Sequence, residues 1–69
     1  MSLYRYRVFK PGQLTKPERI EDSPAKVEIP IPRGEERIVH RYQGRSKLAA
    51  YRVDRDIRGG VRWTQIRNG

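Results

Sequence analysis

The chain has 69 residues, of which 16 are Lys or Arg and eight are Asp or Glu, giving a net charge of +8. A chain this short buries only about 60% of the surface that its unfolded form exposes, so its core must be thin. The absence of cysteine and the single histidine argue against disulfides, thiolate metal clusters and multi-histidine metal sites. We therefore predict one small domain over residues 1–69, with neither cofactor nor metal.

The hydropathy of the chain argues against a membrane span. No apolar run approaches the roughly 20 residues that a bilayer requires. The first ten residues also lack the apolar stretch and the small-residue cleavage site of a signal peptide. We expect a cytoplasmic protein.

The first predicted element is a strand over residues 3–9. Tyr4, Tyr6 and Val8 alternate there with Arg5 and Arg7, which gives one apolar and one cationic face at a period of two.

The next part of the chain is rich in proline, since all five prolines lie between residues 11 and 32. Proline fixes its own backbone angle and lacks an amide donor, so residues 10–25 are predicted to be an extended loop. Residues 26–31 again alternate, with Val27, Ile29 and Ile31 on one side, but Pro30 and Pro32 limit them to a short or edge strand.

The sequence from residue 35 onward fits two structures. As strands, it divides into residues 37–43, 47–57 and 61–67, joined by glycine-containing hairpin loops at 44–46 and 58–60. As helices, residues 35–42 carry an apolar stripe, and Ser46 could cap a second helix through Leu48 and Ala49. The short segments and glycine turns favour strands.

These elements predict a small all-β fold, a twisted antiparallel sheet of four to five strands in an SH3-like or OB-like partial barrel. The alternative is an α+β fold with one or two short helices within residues 35–55. The predicted core consists of apolar and aromatic residues: Tyr4, Tyr6, Val8, Val27, Ile29, Ile31, Ile38, Tyr42, Leu48, Tyr51, Val53, Ile57, Val61, Trp63 and Ile66.

The positive charge is concentrated in the second half of the chain. Residues 37–69 hold nine Lys or Arg against Asp54 and Asp56 alone, a net +7. Eight of the nine are arginines, whose planar donors suit phosphate. Such a concentration points to a polyanionic partner.

Strand alternation predicts that arginines from separate strands share the exposed face of the sheet. Adjacent strands lie about 4.8 Å apart, comparable with phosphate spacing along a nucleic-acid strand. The predicted site binds the phosphate backbone, with little base specificity. Its residues are Arg5, Arg7, Arg41, Arg45, Arg52, Arg55, Arg58 and Arg62.

Three further features carry weaker expectations. The same alternation sends aromatic rings to the opposite face from the arginines, so most rings are expected in the core and Tyr4 partly exposed. Arg58, Gly59 and Gly60 could direct backbone amides toward an anion, although a hairpin turn explains them as well. His40 has no partner for catalysis in the sequence, so no catalytic residue and no enzyme are predicted.

The leading functional hypothesis is therefore a small basic protein that binds DNA or RNA. The alternative is a protein-interaction module, a phage- or plasmid-type accessory subunit or a ribosome-associated protein, that docks on an acidic partner surface. Self-association is a further expectation, because the core is thin and the proline-rich arm could wrap over a neighbour.

Overall fold

Five strands form one open antiparallel sheet in the computed structural model, which describes residues 3–25 and 27–66. The strands are β1 (Tyr4–Phe9), β2 (Arg19–Ser23), β3 (Arg37–Gln43), β4 (Ser46–Arg55) and β5 (Val61–Ile66). Their order across the sheet is β2-β1-β3-β4-β5, so β3 is central and β2 and β5 are the edges. The predicted small all-β fold with an antiparallel sheet is confirmed.

The helical alternative for residues 35–55 is wrong, because β3 and β4 occupy almost all of that region. Residues 44–45 connect these two strands as a tight hairpin, and Gly44 takes the positive φ of 60° that L side chains rarely adopt. Cross-strand pairing therefore overrides the helix propensity of Leu48, Ala49 and Ala50. Within the described residues, no helix has the length and apolarity to span a membrane.

The predicted loop over residues 10–25 is wrong at its carboxyl end, where β2 pairs with β1. β2 is a short edge strand with one neighbour, and an edge tolerates charged side chains such as Arg19, Glu21 and Asp22. Pro17 and Pro24 flank the strand at either end, where their missing amide donors interrupt no ladder.

Residues 27–31 carry the predicted alternation but form no strand. Val27, Ile29 and Ile31 are all buried, Ile31 with only 1% of its surface exposed. Pro30 and Pro32 cannot donate to a ladder, so this segment covers the sheet through side chains instead of pairing with it. Lys26, the first residue of the predicted strand, lies outside the described residues.

The hydrophobic core lies between this segment and one face of the sheet, which we call the covered face. Its buried members from the strands include Tyr6, Val8, Val39, Tyr51 and Val53, with Tyr4, Ala49 and Trp63 partly buried beside them. Tyr6 and Tyr51 meet the Trp63 ring edge-on, at centroid distances of 6.2 and 5.3 Å.

The predicted core was wrong about which face of β3 is covered. The covered side carries Val39, which pairs with Val8 and Tyr51, together with Arg37 and Arg41. Ile38 and Tyr42 instead lie on the opposite side, which we call the open face, and are half-buried. Both faces of β3 carry apolar side chains, so the sequence period alone did not select one.

Four other predicted core residues are exposed. Ile57 lies in the β4–β5 turn and is fully exposed, so the predicted strand over residues 47–57 ends two residues too late. Leu48, Val61 and Ile66 are each exposed by more than a third. Phe9 and Ala50 are buried without having been predicted. The predicted end of the last strand at Arg67 lies outside the described residues.

Candidate nucleic-acid interface

The open face carries a group of basic side chains from three strands, β1 on one side of the central β3 and β4 and β5 on the other. Because side chains alternate along a strand, β1 contributes Arg5 and Arg7, β4 contributes Arg52, and β5 contributes Arg62. Lys47 joins them because a register shift in the β3–β4 pairing, between Arg41 and Tyr42, brings it opposite Tyr42. Arg5, Arg52 and Arg62 expose about half of their side chains.

Two carboxylates neutralise part of this charge. Arg5 donates from Nε and Nη2 to the two oxygens of Asp22 at 2.9 and 3.2 Å. Arg62 donates in the same bidentate way to Asp54 at 3.2 and 3.1 Å. These hydrogen bonds lower the pKa of both Asp22 and Asp54. The pairs are exposed, and such pairs are weak enough to exchange for a phosphate.

The charges of Arg52 and Arg7 are offset less by carboxylates than those of Arg5 and Arg62. Arg52 lies 3.9 Å from Glu36, at the limit of an ion pair. Arg7 stacks its guanidinium over the Tyr42 ring, with 4.6 Å from Cζ to the ring centroid. A ring holds a guanidinium without neutralising it, because its quadrupole carries no net charge.

Two aromatic rings lie among these cations. His40 and Tyr42 occupy alternate positions of β3 on the open face, with their ring centroids 6.5 Å apart. The Phe9 ring lies 4.9 Å from His40. Alternation holds within β3, where His40 and Tyr42 lie on the face opposite to Arg37 and Arg41, but the phase of β3 is opposite to that of β1, so these two rings share a face with Arg5 and Arg7 instead of lying in the core.

The pKa of His40 reflects this basic environment. Burial lowers the pKa below its ordinary value, and the charges of Lys47 and Arg7 lower it further. The histidine is therefore neutral at pH 7, and it lies in a positive local potential.

Two of the eight predicted site arginines lie on the covered face. Arg41 stacks on Tyr4 at 4.9 Å and on Tyr51 at 5.8 Å. Arg55 donates to the backbone carbonyls of Ile31 and Gly59 at 2.7 and 2.6 Å, which ties the covering segment and the β4–β5 turn to β4.

The last two of the eight predicted arginines lie in hairpin turns. Arg45 is between β3 and β4, and Arg58 is between β4 and β5. The suggested anion-binding amides around Gly59 and Gly60 are already occupied. Asp56 Oδ1 accepts from the backbone amides of Arg58 and Gly60 at 2.9 and 2.8 Å. Asp56 thus stabilises a turn, and Gly59 supplies its positive φ of 87°.

Sequence reasoning missed Arg37, a buried arginine on the covered face. Its Nε donates to Glu18 at 2.8 Å, and its Nη1 donates to Glu35 and to the Glu36 carbonyl, both at 2.9 Å. Glu35 precedes Arg37 by two residues, but Glu18 lies 19 residues away in sequence, so spacing gave no signal for this cluster.

A cleft of about 660 Å³ beside Arg37 is the main alternative site in the described part of the chain. Its charged lining is balanced, with three carboxylates against three cations, so it attracts neither sign strongly. These residues are Glu35, Glu36, Asp54, Lys10, Arg37 and Arg55. Residues 3–25 and 27–66 contain no cluster of three His, Cys, Asp or Glu that could hold a metal ion.

Comparisons with protein-family models, curated proteins and solved structures find no match to this chain.

Proposed function

We propose that this chain is a nucleic-acid-binding protein that contacts phosphates through the open face and has no catalytic activity. The observation that supports this most is the composition of the face, where, in the described part of the chain, five cations lie with three carboxylates: Asp22, Asp54 and Glu36, the last at 3.9 Å from Arg52. The contributing residues are Arg5, Arg7, Lys47, Arg52 and Arg62.

The proposed site differs from the sequence-based prediction in its members. Arg41 and Arg55 are held by rings and carbonyls on the covered face, so they are assigned to structure. Arg45 and Arg58 lie in turns at the ends of β4, where they would extend the site only at its margin. Lys47 joins the site because it pairs with Tyr42 across the strands.

Salt dependence tests the proposal directly. Contacts with as many as five phosphates give a slope of log affinity on log salt of about −3.5 for a single strand. Affinity for a labelled oligonucleotide would then fall about 100-fold between roughly 50 and 200 mM salt. Fluorescence anisotropy with a DNA or RNA oligonucleotide measures both the affinity and the slope.

A matched pair of variants locates the contacts. Arg52→Gln removes a cation from the open face, whereas Arg19→Gln removes one from β2, whose side chain shares the covered side with Val8. We expect Arg52→Gln to flatten the salt slope by about 0.7 and Arg19→Gln to leave it unchanged. Equal effects of the two variants, or no binding by the unmodified protein at low salt, would contradict the proposal.

An acidic protein partner is a second candidate for the same face. The exposed side chains of Ile20 and Ile66 favour it, because they flank the cations with apolar surface that a phosphate backbone does not need. Such a partner would use the same cations as nucleic acid, Arg52 among them. If the folded protein binds no oligonucleotide, the acidic protein partner becomes the preferred candidate.

We also propose that the sheet belongs to the SH3-like or OB-like group of partial barrels. Support comes from the covering segment, since Val27, Ile29 and Pro30 line a cleft together with Val61 and Trp63 of β5. The segment thereby reaches from the β2 side of the molecule to the opposite edge strand. An experimental structure that showed a flat sheet with this segment detached would contradict the assignment.

A further inference from the structure

The position of the rings on the open face bears on which nucleic acid this protein takes. His40 and Tyr42 are on β3, the central strand of the sheet. Both residues are half-buried, and Arg7 stacks over one face of the Tyr42 ring, so a base would stack on the other face. Arg7 lies against Tyr42 and Phe9 against His40, which fixes the two rings in place before any ligand arrives. Rings held in this way lose little conformational freedom when a base stacks on them.

Cations lie on both sides of this ring pair. On β1, Arg5 is the cross-strand partner of Tyr42, and Arg7 is the cross-strand partner of His40. On the other side, Lys47 of β4 pairs with Tyr42, and Arg52 lies two residues beyond Ala50, the partner of His40. Bases on the rings would therefore place their phosphates near cations on either flank, which is the arrangement of single-strand binding surfaces.

A duplex fits this face less well. Five strands about 4.8 Å apart span roughly 19 Å, which exceeds the width of about 12 Å of the major groove of B-DNA. The described residues form no helix that could enter the groove in place of the sheet. Paired bases would also be stacked inside the duplex, out of reach of His40 and Tyr42.

We infer that the open face binds single-stranded nucleic acid in preference to duplex, with bases stacked on His40 and Tyr42 and phosphates on the flanking arginines. This inference rests on the proposed function, which it makes specific. Each stacked base contributes roughly 5- to 150-fold to affinity in comparable surfaces.

Three oligonucleotide probes of about 12 nucleotides, a length within the usual site size, separate the contributions. The first is a single strand, the second is a single strand of the same length whose sugars lack bases, and the third is a duplex. We expect the abasic strand and the duplex to bind at least tenfold more weakly than the first probe at the same salt. Anisotropy gives the three affinities.

The outcomes distinguish the inference from the proposed function. If the abasic strand binds as tightly as the normal strand, or the duplex binds as tightly or more tightly, phosphate contact stands and single-strand preference is overturned. Duplex binding that is weakened by Arg45→Gln would instead place the contact at the β3–β4 hairpin. If none of the probes binds at low salt, both proposals fail.

Tyrosine variants on the two faces provide the matched control. Tyr42→Leu removes a ring from the open face, and Tyr4→Leu removes a half-buried ring that stacks on Arg41 on the covered face. We expect Tyr42→Leu to weaken binding of the normal strand about tenfold and to leave the abasic strand unchanged. Tyr4→Leu should change neither.

His40→Gln is the second variant should Tyr42→Leu fail to fold, which circular dichroism shows. It removes the other ring without adding charge, and we expect the same selective loss for the normal strand. The inference would be overturned if Tyr42→Leu or His40→Gln weakened binding of the normal and abasic strands equally. It would also be overturned if neither of these two variants weakened binding of the normal strand.

Discussion

The two faces of the sheet use arginine in opposite ways. On the covered face, Arg37 is enclosed by two carboxylates and a carbonyl, and Arg41 is stacked on two tyrosines. On the open face, Arg5 and Arg62 form exposed pairs, and Arg52 has only a distant carboxylate. The surroundings of each guanidinium therefore decide its role, and the total charge of the chain does not.

This contrast also explains how so thin a core is completed. The covered face lacks enough apolar side chains, and it uses the apolar stems and stacked planes of arginines to fill the space beside Tyr4 and Tyr51. On the open face, Arg5, Arg52 and Arg62 extend into solvent, whereas Arg7 stacks on Tyr42. The same residue type therefore stabilises one face and would recruit a ligand to the other.

The largest expected effect concerns the segment that covers the core. Ile31→Ala removes a side chain that is 1% exposed and should lower the free energy of unfolding by about 3 kcal/mol. Ile57→Ala is the matched control, because Ile57 is fully exposed, and it should change stability by less than about 0.5 kcal/mol. Urea unfolding followed by the fluorescence of Trp63, the single tryptophan, measures both. Similar results for the two variants would show that residues 27–31 do not cover the core.

The next largest effect concerns the arginines themselves. Arg37→Met removes charged hydrogen bonds from a buried position, so we expect a loss of about 2 kcal/mol of stability. Arg52→Met on the open face should cost less than about 0.5 kcal/mol. The same urea titrations test this, and equal losses would remove the distinction between the two faces.

The strands were accessible to sequence reasoning because alternation and glycine turns are local signals. The pattern of β1 predicted it to within a residue of its observed bounds, and Gly44 and Gly59 marked the hairpins. The orientation of β3 was not accessible, since Ile38 and Val39 are equally apolar and only contacts with Val8 and Tyr51 select Val39 for the core.

The candidate site could be predicted from the sequence only in part, because it too depends on contacts between distant parts of the chain. The pattern placed Arg5, Arg7, Arg52 and Arg62 on one face, but it could not show that Arg41 stacks on Tyr4. Those contacts join residues far apart in sequence, and they depend on strand order and register. The grouping of His40 and Tyr42 with the arginines followed from the phase of β3, which needed the fold.

The smallest expected effect is a change in the pKa of His40. Burial, Lys47 and Arg7 hold this pKa below 6.5 in the free protein. Because the folded-state pKa is lowered, protonation favours unfolding, and stability is full above pH 6.5 and declines as pH falls through the folded pKa. A bound phosphate would offset the charges of Lys47 and Arg7 and raise the pKa.

His40 is the only histidine, so its imidazole signals in an NMR pH titration are unambiguous. We expect the titration midpoint to move upward when the abasic single strand is present, because its phosphates add negative charge without a base that would bury the imidazole further. A midpoint that does not change, in a sample where anisotropy shows binding, would place the ligand away from the open face.

The most direct test of the difference between the faces is NMR of the arginine Nε–Hε groups, which report each guanidinium separately. On addition of a single-stranded oligonucleotide at low salt, we predict that the signals of Arg5, Arg7, Arg52 and Arg62 shift while those of Arg37 and Arg41 remain in place. Shifts centred on Arg37 and Arg41, or uniform small shifts of all arginines, would contradict the account.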